Sequence, residues 1–356
     1  MYKNKGIDFT GQDFFLGIDV HARQWNVTIR HNNMELKTCS MDPSPSVLTR
    51  YMERHYPGGN YHSVYEAGFC GFWPHRELTK LGFENIVVHP PDVPTSHKEK
   101  DRKDDPVDSR KLSRELEKGD LTAIYVPDEF HQQLKSLVRL RGRITESTTR
   151  VKNRIKGYLY YNGIPIPPHS ELSHWSNNFI SWLEELEFSS QPGKEYLRIC
   201  LDELRSHRRR LASVTRSLRK YARETGISET IKLLCSVPGI GFVTAISFYA
   251  ELMDMGRFPN LDHLASYIGL VPSIYSSDTR EKNRGLTKRR NRYLRYLIIE
   301  AAWVAVRKDP VLLYKFNELS RRMKKQDAII RIAKKLLSRI RYVWRTGMPY
   351  CPSVIE

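Results

Sequence analysis

Phe14-Phe15-Leu16-Gly17-Ile18-Asp19-Val20-His21 is the stretch that decides the fold of the first part of the chain. Apolar residues lead to a single acid, and the alternating run Trp25-Asn26-Val27-Thr28-Ile29 follows after a few polar residues. This pattern predicts a β-hairpin with Asp19 at the end of a buried strand. Asp19 is then either a turn residue that accepts backbone N–H groups or, if further acids join it, a metal ligand.

The composition describes a folded, strongly basic protein. The 356 residues carry a net charge of +18, and 40% of them are hydrophobic, which is enough for packed cores. The length favours two or three domains. Such a charge favours a polyanionic partner, and nucleic acid is the commonest one. Ribosome-type binding or a membrane surface would account for the same charge, so the charge alone does not decide the function.

The cysteines and the apolar runs argue against several classes of protein. The five cysteines occur singly, without a CxxC pair or a His-rich spacing nearby, which argues against a disulfide framework and a structural zinc site. The first residues lack a signal-peptide core, and Glu300 and Arg307 interrupt the most apolar run near the C-terminus. We therefore expect a cytoplasmic protein without a membrane partner.

Strand and helix signals alternate from residue 14 to residue 125. After the hairpin, the pattern predicts a strand at 35–41, a helix at 45–55, a strand at 61–68 that contains Glu66, a helix at 72–81 and a strand at 85–89. An antiparallel meander that passes into β-α-β units is typical of an α/β domain with a mixed sheet.

A helix with two acids in its first turn follows this sheet. In Asp105-Pro106-Val107-Asp108, an N-cap acid precedes proline at the first helical position and a second acid at the third. Both acids therefore lie on one side of the turn. In a ribonuclease-H-like fold, the ends of the strands that carry Asp19 and Glu66 meet the start of this helix at one edge of the sheet.

Four carboxylates in one place would repel one another unless a cation lies between them. Mg²⁺ or Mn²⁺ fits, because both are hard cations that prefer carboxylate oxygen. Two such ions about 4 Å apart can clamp both oxygens of a phosphodiester displacement. Each acid also has a plain structural explanation: Asp19 as a turn residue, Glu66 as a solvated strand end, and Asp105 with Asp108 as a helix start.

Two long helices and a glycine turn characterise the rest of the chain. The helix predicted at 130–161 is strongly basic, and the one at 195–224 has leucines at near-heptad spacing. We expect the two helices to form an antiparallel hairpin, a coiled-coil dimer arm or part of an ordinary helical core. The turn Pro238-Gly239-Ile240-Gly241 predicts a helix-hairpin-helix that can meet a phosphate, although a turn without any ligand needs the same glycines.

The candidate nucleic-acid-binding residues come from the basic helix, the glycine turn and the basic stretch after it. They are Arg139, Arg143, Arg150, Arg154, Gly239, Gly241, Arg280, Arg284, Lys288 and Arg292. Most of these cations would hold backbone phosphate by charge. The last four can instead stabilise a phosphate that reacts.

Five motifs occur together in one order and spacing. They are Gly17-Ile18-Asp19, Tyr65-Glu66-Ala67-Gly68, Asp105-Pro106-Val107-Asp108-Ser109-Arg110, Val237-Pro238-Gly239-Ile240-Gly241, and Gly269-Leu270-Val271-Pro272 with Tyr275-Ser276-Ser277. In this arrangement the chain resembles the DEDD insertion-sequence transposases of the IS110 group. The resemblance covers nearly the whole chain.

The resemblance implies α/β plus all-α architecture. Its parts are a RuvC-like domain of ribonuclease-H fold at 1–128, a helical coiled-coil region at 129–228, and a mostly helical transposase domain at 229–356 that carries a catalytic serine. The acidic tetrad falls on Asp19, Glu66, Asp105 and Asp108, and the serine on Ser277. The family recombines donor and target DNA, guided by a noncoding bridge RNA, as a homo-oligomer, either a dimer or a tetramer. In that assembly the RuvC-like domain of one subunit meets the serine domain of another.

One residue departs from the family pattern. Glycine usually follows the serine, and here Asp278 stands there, which either changes the backbone freedom of the loop or adds negative charge beside the nucleophile. Ser276 and Tyr275 are the neighbouring candidates. No histidine lies near Ser277 in sequence to activate its hydroxyl. A metal ion held by the tetrad can lower the pKa of that hydroxyl for a step that forms phosphoserine.

Three other functions compete with this interpretation. The first is a RuvC-like, metal-dependent, structure-specific DNA endonuclease that makes no covalent serine intermediate. The second is a sugar-kinase or actin-like ATPase fold, but His21-Ala22-Arg23-Gln24 offers no Gly/Thr-rich phosphate loop. The third is a basic helical scaffold for nucleic acid in which the acids are incidental.

Overall fold

A computed structural model describes residues 8–94, 105–277, 280–286 and 290–352 of the chain, with side chains over 8–94, 107–271 and 290–352. The chain divides into two compact units, Met1–Val126 and Pro127–Glu356. The three-domain division at 1–128, 129–228 and 229–356 stays a prediction.

The first unit is built on a mixed five-stranded sheet. Its strands are β1 (Asp13–Val20), β2 (Trp25–His31), β3 (Met34–Met41), β4 (Asn60–Glu66) and β5 (Glu84–Val88), in the order β3-β2-β1-β4-β5. The first three strands form an antiparallel meander, and β4 and β5 run parallel to β1. The predicted mixed α/β architecture is confirmed, and it is consistent with a ribonuclease-H-like domain.

The helices of this unit follow the predicted pattern closely. They are α1 (Pro45–His55), α2 (Trp73–Lys80) and α3 (Asp105–Lys118), with a 3₁₀ turn at Pro90–Asp92. Phe14, Leu16 and Ile18 of β1 are buried on one face of the sheet, where Leu48 of α1 and Leu78 of α2 join the same core. Burial of such a side chain contributes about 1.5–3 kcal/mol, so the alternation along β1 fixes which face is packed.

The second unit is mostly helical. Its helices are α4 (Glu129–Tyr161), α5 (Asn177–Glu185), α6 (Gln191–Glu224), α7 (Ser228–Cys235), α8 (Phe242–Leu252), α9 (Leu261–Ile268), α10 (Arg292–Lys308), α11 (Pro310–Ser320) and α12 (Lys325–Thr346), with a 3₁₀ turn at Met255–Arg257. An antiparallel hairpin of β6 (Pro272–Ser277) and β7 (Arg280–Leu286) lies between α9 and α10. Within the residues that the structure describes, no helix is both long and apolar enough to span a lipid bilayer.

The two long helices α4 and α6 lie antiparallel. Arg154 of α4 donates to Glu203 of α6 at 2.7 Å, and Arg141 donates to Thr215 at 2.9 Å, so residue numbers fall along α6 as they rise along α4. Buried aliphatic side chains, among them Ile155, lie between the two helices. The coiled-coil arrangement as such stays a prediction.

Candidate active site and nucleic-acid interface

Asp19 and Glu66 lie at the ends of two neighbouring strands and on the same face of the sheet, Asp19 directly before the last residue of β1 and Glu66 as the last residue of β4. β1 and β4 pair in parallel with Ile18 opposite Tyr65, so the next residues of the two strands are Asp19 and Glu66. Ile18 and Tyr65 are buried in the core on one face. Because successive side chains of a strand alternate, the two acids lie on the other face, where both are partly exposed.

Gly17 is the point at which α3 packs against that face. A Cβ atom at Gly17 would lie closer than 3.0 Å to the carbonyl oxygen of Ser109 and to the amide nitrogen of Ser113. Both are backbone atoms of α3, so they cannot turn aside as a flexible side chain would. Glycine is therefore needed for α3 to lie this close to β1.

The direction of α3 brings its first turn to the acidic edge. Ser109 hydrogen-bonds to Thr28 at 2.9 Å, and Glu117 accepts from Arg30 at 2.6 Å. Thr28 pairs with Gly17 in the sheet, whereas Arg30 pairs with a residue nearer the start of β1, so α3 runs opposite to β1. Four residues of helix span about 6 Å, and two residues of strand span about 6.6 Å. The start of α3, which carries Asp105 and Asp108, therefore lies above the strand end that carries Asp19.

The structure thus brings the backbone positions of all four predicted acids to one sheet edge. Asp108 is partly buried, and the side chain of Asp105 lies outside the described part of the chain. Among the described side chains alone, which lack Asp105, no three His, Cys, Asp or Glu residues form a group that could hold a metal ion. The donors at this edge are carboxylate oxygens, which suit Mg²⁺ or Mn²⁺.

His21 is a neighbour of this edge that the sequence patterns did not indicate as functional. Its Nε2 atom lies 2.9 Å from Oδ2 of Asp19. The side chain of His21 is 45% exposed, and that of Asp19 is 20% exposed. The contact forms because the backbone N–H of His21 donates to the carbonyl of Gln24, which closes the turn between β1 and β2. A hydrogen bond of this kind orients a carboxylate that binds a metal ion. A histidine two residues after the acid, at the start of a turn, was the available signal.

In the second unit, three of the predicted phosphate-binding arginines line one cavity. Arg139 and Arg143 on α4 face Arg292 at the start of α10 across a space of about 470 Å³. The remaining lining residues are Gly142, Glu146, Arg290, Asn291 and Tyr293. Cations on two helices therefore surround a space that can admit a phosphate group.

Arg139 also has a structural partner, the fully buried Glu251 of α8. Arg139 donates to both carboxylate oxygens of Glu251 at 2.5 and 3.0 Å, and Asn291 donates to the same carboxylate at 2.8 Å. The hydrogen bond to Glu251 raises the pKa of Arg139. Burial lowers the pKa of nearby Lys135, although Glu251 opposes that shift. Asn291 in turn caps α10 by accepting from the N–H of Leu294.

The sequence patterns did not single out Glu251. Its one local signal is that it is the only acid in the apolar helix Phe242–Leu252. Its partner Arg139 is 112 positions away along the chain, so the pairing has no local pattern.

The glycine turn between α7 and α8 has a packing role that the structure makes visible. Gly239 has a φ of +83°, and a Cβ there would come closer than 3.0 Å to the carbonyl oxygen of Ala301 in α10. The turn lines a cavity of about 490 Å³ together with Lys308. Gly241, the residue before α8, has no atom within 4 Å of a Cβ position. Packing therefore accounts for Gly239, whereas Gly241 borders open space.

The other predicted residues are placed as follows. Arg150 is exposed and donates to Ser147, and Arg154 is held by Glu203. Ser277 is the last residue of β6 and pairs with Arg280 of β7, which also contains Arg284. The side chains of these three residues are not described. Asp278 and Lys288 lie outside the described residues.

Comparison with known proteins gives two family matches in separate parts of the chain. Residues 16–161 match a family model of transposases of the DEDD type named after IS110, and residues 231–316 match the transposase IS116/IS110/IS902 family. The first match contains all four acids, and the second contains the glycine turn and Ser277.

Individual relatives agree with these matches. The chain is 31% identical to the putative transposase y4qE of Sinorhizobium fredii over 72% of its own length and 62% of the relative's. It is 26% identical to the putative transposase y4rJ of the same organism, over 91% and 89% of the two chains. It is also 26% identical to the transposase for insertion sequence element IS1111A of Coxiella burnetii, over 68% and 65%.

Proposed function

Because the chain belongs to the IS110 family of DEDD transposases, we propose that it is the DNA recombinase of an insertion sequence. Asp19, Glu66, Asp105 and Asp108 form its metal-holding site, and Ser277 is its nucleophile. The observation that carries the proposal is the close approach of α3 to β1 at Gly17, since it directs the first turn of α3 toward the edge of Asp19 and Glu66.

The acidic residues have a binding and orienting role in this proposal. Asp19 and Glu66 offer carboxylate oxygens from adjacent strand ends, and Asp105 and Asp108 offer theirs from a helix start. A divalent cation bound among them, Mg²⁺ or Mn²⁺, would supply positive charge for an attacked phosphate and for a hydroxyl that loses its proton. His21 orients the Asp19 carboxylate from the side of the turn.

In the proposed reaction, the Ser277 hydroxyl attacks a DNA phosphodiester. The bond between Oγ and phosphorus forms, a phosphorus–oxygen bond of the DNA breaks, and the DNA hydroxyl leaves with a proton. Attack by the hydroxyl of another strand reverses the step and rejoins the DNA. Arg280, Arg284, Lys288 and Arg292 stabilise the charged phosphate, and Asp278 adds a negative charge beside the serine.

The proposed partners are donor DNA, target DNA and a noncoding bridge RNA, with the protein acting as a dimer or tetramer. The net charge of +18 supports polyanionic partners. Base pairing to an RNA guide would select the target sequence, so that protein side chains need hold only the backbone. Sequencing of RNA that co-purifies with the protein tests the guide, and its absence from an active preparation would exclude it.

A metal-dependent DNA endonuclease without a serine step is the second candidate. The arrangement of β1, β4 and α3 favours it, because the acidic edge belongs to the first unit alone. The two candidates differ in one product, namely DNA joined covalently to protein.

Denaturing gels of labelled DNA after reaction with Mg²⁺ distinguish the candidates. Asp19→Asn should abolish strand cleavage, whereas Asp120→Asn, which changes an exposed acid outside the site, should leave it intact. Ser277→Ala should abolish both the covalent adduct and strand exchange, and Ser276→Ala should preserve both. Strand cleavage by Ser277→Ala at the normal rate, with no adduct in the unmodified protein, would favour the endonuclease.

A further inference from the structure

The C-terminal half of α6 carries a row of cations on one face. The cationic stripe consists of Arg216, Arg219, Lys220 and Arg223, all of them exposed. Their spacing of three, four and seven residues places them on the same side of the helix. From first to last the stripe extends about 10 Å along the helix axis.

The two halves of α6 differ in whether their cations form salt bridges. In the first half, Arg198 pairs with Glu195 at 2.5 Å and with Asp202 at 3.0 Å. Arg205 in the same half pairs with Glu184 of α5 and with Asp202.

Acidic side chains neutralise the cations of the stripe much less. Among the described side chains, the three stripe arginines form no salt bridge, and Lys220 meets Glu224 only at 3.7 Å. Positive charges held this close repel one another. Their repulsion is relieved when a polyanion binds.

The surface around the stripe is concave, and one of its arginines packs against the start of α8. The four cations and Ser217 line a space of about 340 Å³. The guanidinium of Arg219 lies 4.4 Å over the ring of Phe242, the first residue of α8, directly after Gly241. The stacking limits the motion of Arg219. Arg219 of the stripe therefore contacts the residue that directly follows the glycine turn.

We propose that the cationic stripe binds the sugar-phosphate backbone of duplex DNA. Its length of about 10 Å matches about three base-pair steps at 3.4 Å each. Single-strand binders also need aromatic rings on which bases stack. The exposed ring on this part of α6, Tyr221, is not on the face of the stripe, and Arg219 already covers the ring of Phe242.

A row of cations can hold the phosphates of duplex DNA and of duplex RNA, and the proposed function selects duplex DNA as the partner. Proteins recognise an RNA duplex by its shape and by contacts to its 2′-hydroxyl groups and phosphates. The stripe supplies cationic donors and a single hydroxyl, that of Ser217. This inference rests on the proposed function only in its choice of DNA, because the stripe's charge and shape do not depend on the acidic tetrad.

The test compares two double variants of the full chain that lose the same charge from the same helix. Arg216→Gln with Arg223→Gln removes two stripe cations, whereas Arg198→Gln with Arg205→Gln removes two paired ones. Binding of a fluorescent duplex DNA is measured by anisotropy in EDTA at increasing salt, so that no strand cleavage is needed. Each lost phosphate contact lowers the salt slope by about 0.9, so the rise in Kd between about 50 and 200 mM salt should shrink about 12-fold.

The controls decide between the stripe and charge in general. The paired-arginine variant should keep the normal slope, and Arg216→Lys with Arg223→Lys should restore it. Equal slopes for the two glutamine variants would overturn the proposal, as would a loss confined to an RNA duplex of the same sequence. If the Arg216→Gln, Arg223→Gln variant cleaves DNA normally and its salt slope is unchanged, the role of the stripe is refuted but the proposed function is not. If Asp19→Asn loses cleavage but binds DNA normally, the role of the stripe is unaffected.

Discussion

Gly17→Ala should inactivate the acidic site without altering any acid. The new methyl group would lie closer than 3.0 Å to backbone atoms of Ser109 and Ser113, with the Cβ of Leu112 at 3.0 Å. Both strand and helix are regular there, so α3 must retreat from β1. A retreat of roughly 1 Å at a catalytic centre costs about 100-fold in rate. Overpacking of this kind costs about 1–3 kcal/mol of stability.

The assay for this change is single-turnover strand cleavage with Mg²⁺, together with urea unfolding of the same samples. Gly157→Ala is the matched control, because no atom lies within 4 Å of a Cβ at that exposed helical position. It should keep full activity and gain about 0.5–1 kcal/mol from the helix preference of alanine. Wild-type cleavage and stability in Gly17→Ala would refute the argument that α3 depends on this glycine.

Three further changes test other contacts. Glu251→Gln should lower the free energy of unfolding by about 2–4 kcal/mol, because it leaves Arg139 and Lys135 facing a neutral group. Urea unfolding measures this loss, and an unchanged midpoint would contradict the prediction. Asp309→Asn should cost about 1–3 kcal/mol at neutral pH. Burial alone would raise the pKa of Asp309, but hydrogen bonds and Arg339 outweigh burial and lower it below its ordinary value of 3.8. The difference in melting temperature should therefore be complete well above pH 3.8 and should disappear only as the pH falls through the lower pKa of the folded state. His21→Ala should slow cleavage about 10–100-fold, which is less than the effect of Asp19→Asn. An equal loss of cleavage in the two variants would contradict a purely orienting role for His21.

Much of the first unit follows from local sequence. The alternation around Gly17 and the proline after Asp105 predict the hairpin and the start of α3, and both are observed.

The second long helix begins at Gln191 and not at residue 195. Pro192, in the first turn of that helix, was the available signal, because proline favours this position.

Contacts between distant segments could not be predicted in this way. The spacing of Arg139 within a basic helix indicates a phosphate-binding residue, but it does not reveal the buried Glu251 that holds its guanidinium. The sequence likewise shows a glycine at position 17 without showing that a helix passes over it. Both facts depend on which elements meet in space, and neither element carries a local mark of its partner.

The metal site is tested most directly by an anomalous difference map from crystals of the full chain grown with Mn²⁺. We expect manganese peaks among the side chains of Asp19, Glu66, Asp105 and Asp108, at carboxylate–metal distances of about 2.1–2.2 Å. Crystals of Asp19→Asn should lose at least one of them. Clear density for four carboxylates that point apart, with no manganese peak between them, would contradict the central claim that these acids form one cation-binding site.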